Sequence, residues 1–225
     1  MSKKAQWVID YCNGIVQDDD GTKWGDSWLS FINAGQLLIA DIFPAATALT
    51  EVVRLVPGVG QTCPEGAMRF LGLTVNMGTG STPGNAIQLC DAEFLSACVP
   101  GWMSETPSTA VEQYMFDENE PVNFRVYPPV HATTQVHVGL RYAATPTDCA
   151  SFGSTLSIGD KYSAALAEWC IYMALSGETD VADPNKAQSH LTNFFNLLGI
   201  KKENRVRYSP NIRERSGYPP SEARQ

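Results

Sequence analysis

Apolar positions change their period twice along this chain. Near the N-terminus they recur at helical spacing, through the middle they alternate, and towards the C-terminus they return to helical spacing. Trp7, Ile9, Tyr11, Ile15 and Val16 give residues 4–17 a mixed apolar face, read as a first helix that Asp18, Asp19, Asp20 and Gly21 end. Asp26 or Ser27 caps a second helix over about 27–43, with Trp28, Phe31, Ile32, Leu38, Ile39 and Ile42 on its apolar side and Pro44 at its end. Asn33 and Gln36 fall three apart, hence on one face, and read as a polar stripe towards water or a neighbouring chain.

The middle alternates. Residues 47–56, a short stretch around Gln61 to Cys63, Met68 to Asn76, Ala86 to Cys90 and Thr134 to Tyr142 read as strands. Pro57-Gly58 and Pro64-Glu65-Gly66 are turns, and Met77 to Asn85 is a loop rich in Gly, Ser, Thr and Pro. A short helix is expected from Asp91. Val111 to Phe116 and Phe124 to Pro128 alternate around Asp117-Glu118-Asn119-Glu120-Pro121, the pattern of a β-hairpin. Pro128 and Pro129 lack backbone donors and are expected to end its second strand.

Two helices come next. Asp160 is the expected N-cap of one carrying Tyr162, Leu166, Trp169 and Met173, with Gly177 past its end. Asp183 caps the other, Pro184 takes its first turn, Ala187, Leu191, Phe194 and Leu198 form its stripe, and Gly199 is the expected stop. The pattern predicts an α+β protein: a discontinuous helical bundle from both chain ends (1–46 with 158–200), an inserted antiparallel β-rich domain (47–157), and a basic, extended C-terminal tail (201–225).

Composition narrows the function classes. An apolar content of 44% supports a core. The longest apolar runs fall short of about 18 residues, so no membrane span is expected. Asp10 and Asn13 interrupt the stretch after Lys3 and Lys4, against a signal peptide. The six cysteines are scattered without a C-x-x-C pair and read as reduced, mostly buried thiols. The net charge of −8 hides an asymmetry: 201–225 holds seven Lys/Arg against three Asp/Glu, while 1–200 holds nine against 21. An acidic body disfavours static DNA binding, and a basic tail suggests docking to an acidic protein surface.

Catalytic chemistry is thinly represented. The carboxylates at 18–20 lack the remaining ligands of a Ca loop, and three histidines are poor material for zinc. No G-x-S-x-G elbow, phosphate loop or dinucleotide fingerprint occurs. His131 and His137 are an even number apart and could share a strand face, and Cys90 or Cys98 with His137 is the residual thiolate–imidazole candidate. Glu118 and Glu120 sit in the hairpin turn as solvated charge. No catalytic, cofactor or metal residue is assigned. The tryptophans read as core, since no basic groove accompanies them for base stacking.

Several segments, in order over about 25–199, resemble the head-to-tail adaptor (connector) proteins of short-tailed bacteriophages. They are 27–47 with Asn33, Gln36, Ile39 and Pro44; the run Leu55, Gly58, Gln61, Pro64; Pro100 with Trp102; the hairpin ending Phe124, Val126, Tyr127, Pro128, Pro129; and the helices Tyr162 to Leu175 and 195–199. The resemblance implies a structural virion protein without enzymatic activity. It implies a ring, usually twelve-fold, below the portal protein at the head-to-tail junction, assembled in the host cytoplasm. Such a ring passes DNA without sequence-specific binding and gives a platform for tail nozzle or fibre proteins. The charge asymmetry adds Lys201, Lys202, Arg205, Arg207, Arg213 and Arg215 as a portal-docking tail. Competing readings are another tail or capsid accessory protein, a cysteine-dependent hydrolase, and a carbohydrate-binding module.

Overall fold

The structure, a computed structural model, describes residues 3–16, 23–177 and 183–208. They form five α-helices and two β-sheets, so the protein is α+β. The chain divides into two compact units, one of residues up to Gln36 and from Asp148 on, the other Leu37–Thr147. The division falls inside a helix, and each boundary lies ten residues before the ones expected at 46 and 157.

In the helical unit, α1 (Ala5–Val16) and α5 (Pro184–Tyr208) both pack on α4 (Ser163–Ser176). α4 is buried along most of its surface, with Ala165, Leu166, Ala167, Cys170, Ile171 and Ala174 fully enclosed and Ala164 and Ser176 exposed. Its Ala-rich sequence both favours helix and lets neighbours approach closely. α2 (Ser27–Ile42) shows the same economy of space: a Cβ built at Gly35 would lie 2.5 Å from Leu166 and Trp169. The Trp169 indole then donates across to the Phe31 carbonyl at 3.2 Å. The N-terminal segment pairs with the stretch before α4, Ala5 N donating to Ser154 O and Leu156 N to Lys3 O, both at 2.9 Å.

Three expectations here are corrected. Asp160 does not cap α4, whose N-cap is Tyr162. Its carboxylate instead accepts from the Lys3 backbone N–H at 2.7 Å, a partner 157 residues away. Gly199 does not end α5, and the tail is not extended from 201. The helix continues through Tyr208, because the Lys, Glu and Arg beyond Gly199 are good helix formers and an interior glycine costs only about 1 kcal/mol. Asp183 does cap α5, its carboxylate accepting from the backbone N–H groups of Asn185 and Lys186.

In the sheet unit, β1 (Ala48–Arg54), β7 (His137–Ala144) and β3 (Ala67–Asn76) form one sheet in the order β1-β7-β3. β2 (Gly58–Thr62), β6 (Asn123–Val130), β5 (Gln113–Phe116) and β4 (Gln88–Leu89) form the other, in the order β2-β6-β5-β4. The core gathers around Phe70, stacked on Phe124 at 4.4 Å and meeting Tyr114 and Phe116 at 5.5 and 5.6 Å. β3 bends to admit this cluster: Gly72 has φ +143°, and a side chain there would meet the Tyr114 hydroxyl. α3 (Ala92–Cys98), capped by Asp91, covers Trp102 and Met115 in a second small cluster.

The hairpin forms as its pattern predicts, Gln113 opposite Tyr127 and Phe116 opposite Phe124. Two details differ. β6 runs on through Pro128 and Pro129 to Val130, where the Pro129 carbonyl still accepts from Ser108 N at 2.8 Å although the prolines donate nothing. The sheet is also not wholly antiparallel, since β4 runs parallel to β5.

Candidate functional site

The polar residues that stand out in the sequence act on the backbone. Asn33 is the first: its Oδ1 accepts from Cys149 N at 2.8 Å and its Nδ2 donates to Cys149 O at 3.4 Å. Gln36, fully buried, accepts from Ser157 N at 2.7 Å and donates to Cys149 Sγ at 3.6 Å. The expected polar stripe towards water or another chain is therefore overturned: this face of α2 binds the 149–157 segment. Gln61 does the same in the sheet unit, accepting from Val56 N at 2.9 Å and donating to Val56 O at 2.8 Å. So does Asn76 with Val111 N and O at 2.8 and 2.7 Å. A carboxamide presents one acceptor and two donors in the geometry of a peptide group, so each can stand in for a missing strand neighbour. In the run Leu55, Gly58, Gln61, Leu55 is core, Gly58 supplies φ +96° and Gln61 closes the turn.

The titratable groups are dispersed. His131 precedes β7, where its Nδ1 accepts from Thr133 N and Thr134 N at 3.3 and 3.2 Å. His137 opens β7, so the two histidines do not share a strand. The Cys90 thiol donates to the Asp91 carbonyl at 3.4 Å, and no hydrogen bond joins Cys90 or Cys98 to His137 among the described residues. Burial pushes the Cys63 thiol up to about 11, and also raises Cys149 and Cys170, the opposite of what an activated nucleophile needs. Glu118 and Glu120 are exposed in the hairpin turn. No group of three or more metal-ligating side chains occurs among the described residues. Asp18, Asp19 and Asp20 lie outside them.

The exposed apolar side chains are unevenly distributed between the two units. Of the eleven large apolar side chains left exposed among the described residues, nine belong to the sheet unit: Leu37, Ile42, Leu49, Val52, Val56, Leu89, Phe94, Met103 and Phe116. That unit holds four arginines, no lysine and ten Asp/Glu, a net charge of −6. β1 is its open edge. It pairs with β7 over seven residues without a bulge or proline, and its other side has no strand neighbour among the described residues. Leu49 and Glu51 pair with core residues Tyr142 and Leu140, yet both stay exposed. Burial and a hydrogen bond to Glu51 raise the Tyr142 hydroxyl. The other edges are blunted: β3 has three register shifts and bonds to Pro121 and Ile87, β2 is five residues with a shift, and β4 is two residues. Apolar residues on both faces from Leu49 to Val56 are the sequence signal for this edge, although the pattern by itself predicts only a strand.

Of the tail cations, Lys201, Lys202, Arg205 and Arg207 fall on helical backbone of α5, and Arg213 and Arg215 lie outside the described residues. No helix among the described residues is long and apolar enough to cross a membrane.

No curated protein matches the chain significantly in sequence. A protein family does: the family described as SU10 adaptor protein matches residues 4–215, nearly the whole length and both units. The chain belongs to the SU10 adaptor protein family.

Proposed function

We propose that this phage adaptor is a structural virion protein that forms a ring, expected to be twelve-fold, beneath the portal protein. There it extends the DNA channel and carries tail nozzle or fibre proteins. The observation that carries the reading is the family match over residues 4–215. The exposed apolar side chains and open β1 edge of the sheet unit support it, because a ring of identical subunits needs a surface to be covered by its neighbour. The lysine-free, acidic sheet unit is compatible with DNA that slides past without sticking, since like charge repels the phosphate backbone. The cations from Lys201 to Arg215 are proposed to dock on the portal, with assembly in the host cytoplasm.

Light scattering on the protein alone and mixed with its portal tests this. A ring-sized complex that appears with the portal supports the reading, and a monomer that ignores the portal refutes it. A chain ending at Ile200 is expected to fold and to lose portal binding; unchanged binding would refute the docking role of the tail.

A further inference from the structure

Cys12 on α1 and Cys170 on α4 are both fully buried, in helices that pack directly on each other. The Cys12 thiol donates to the Ala167 carbonyl of α4 at 3.6 Å. A cysteine Sγ lies only about 3 Å from its own Cα, so a thiol that reaches the backbone of the facing helix requires a close helix-to-helix approach. Ala167 and Ala174, also fully buried, leave room for it. Cys170 lies three residues beyond Ala167, which puts both on one face of α4. Burial first, and then the neighbouring Cys12 thiol, raise Cys170, in keeping with two sulfurs that lie close together at this helix contact. The remaining four cysteines show no such pairing among the described residues.

We propose that Cys12 and Cys170 are a latent disulfide site, reduced when the chain folds and closed by exchange with a low-molecular-weight disulfide such as oxidised glutathione. One thiol, as its thiolate, attacks the glutathione disulfide and releases one reduced glutathione. The second attacks the mixed disulfide and releases the other. Two protein thiols are oxidised, one glutathione disulfide is reduced to two thiols, and the two protons end on the departing glutathiones. Burial holds Cys170 protonated and shields both sulfurs, so exchange proceeds through transient opening of α1, the first helix of the chain, and is slow. Once formed, the bond ties α1 to α4 and removes that opening. The proposal stands on the helical unit alone and does not depend on ring formation.

The full-length reduced protein, incubated with oxidised glutathione under native conditions and alkylated, is mapped by mass spectrometry without reduction. The expected product is lighter by two hydrogens, yields a linked Cys12–Cys170 peptide, and melts about 5–10 °C higher than the reduced protein. Cys12→Ser is expected to lose the linked peptide. Should that variant not fold, trapping the wild-type mixed disulfide at Cys12 or Cys170 serves in its place. Glutathione adducts confined to Cys90 and Cys98, or a Cys12–Cys170 link that forms only in denaturant, would overturn the proposal.

Discussion

Among the described residues of the helical unit, Tyr11 and Phe195 are the large apolar side chains left exposed, against nine in the sheet unit. The contrast arises from how each kind of element satisfies its backbone. A helix closes its hydrogen bonds internally, so α4 needs only close-packed small residues around it to be complete. A sheet ends in edges, and an edge is complete only when something else pairs with it, blunts it or covers it. β3, β2 and β4 are blunted within the chain, whereas β1 is left long, regular and apolar on both faces. The helical unit therefore reads as finished and the sheet unit as a half-interface.

The strongest way to break that comparison is to empty the sheet core. Phe70→Ala removes the ring stacked on Phe124 and facing Tyr114, and is expected to cost about 3–5 kcal/mol. If the units are separate cooperative blocks, hydrogen exchange will show β3 and β7 losing protection while α4 keeps its own. Equal loss in α4 would make the chain one block and void the contrast.

Next in size is Gln36→Leu. The substitution keeps a side chain of similar size but leaves the half-buried Ser157 N–H without its 2.7 Å acceptor. About 1–3 kcal/mol of destabilisation is expected in denaturant unfolding, with exchange rising at 149–157. The matching Gln61→Leu releases Val56 N and is expected to loosen the β1–β2 turn without touching α4. A neutral Gln36→Leu would show that the bond to Ser157 carries no stability.

These carboxamides mark the limit of what the sequence discloses. Periodicity places nearly every helix and strand, because each is decided by neighbours within a few residues. Asn33 and Gln36 are visible as a pair, yet their partners lie 113–121 residues away and turn an apparent surface stripe into a clamp. Asp160 misleads for the same reason: a local N-cap pattern loses to the Lys3 backbone. Gly199 misleads through propensity, since a stop signal yields when good helix formers lie beyond it. The adaptor family is legible because several segments, among them Leu55, Gly58, Gln61 and Pro64, follow one another in order and each is decided locally. The open edge at β1 is not, since whether a strand has one neighbour or two is a property of topology.

Alkaline titration sharpens the contrast from the side of the buried thiols. Cys63 in the unfolded chain ionises near 9.0, but burial in the sheet core holds it protonated to about 11. Unfolding between these values releases a proton, so this group leaves stability unchanged below pH 9 and lowers it as pH rises towards 11. Cys63→Ala is expected to flatten that part of the decline for the sheet unit. The helical unit should keep its own decline, since Cys149 and Cys170 are raised by burial there. If the decline in the sheet unit is as steep in Cys63→Ala as in the wild type, Tyr114 and Tyr142, also raised, carry it.

The smallest effect on stability is expected where the effect on assembly is greatest. Leu49, Val52 and Val56 are each about half exposed, so the set Leu49→Thr, Val52→Thr and Val56→Thr removes little buried area. Threonine is β-branched and keeps the strand preference of β1. Each change should shift unfolding by no more than about 0.5 kcal/mol. The same three changes strip the apolar surface from the one long unpaired edge among the described residues, where a neighbouring subunit is proposed to pack. The triple variant is therefore expected to melt with the wild type and to fail to form the ring-sized complex with portal in light scattering. A ring that forms normally would move the subunit contact away from β1, towards the exposed Phe94 and Met103 beside α3. A variant that unfolds would show instead that β1 already belongs to the core, and the sheet unit would be as complete as the helical one.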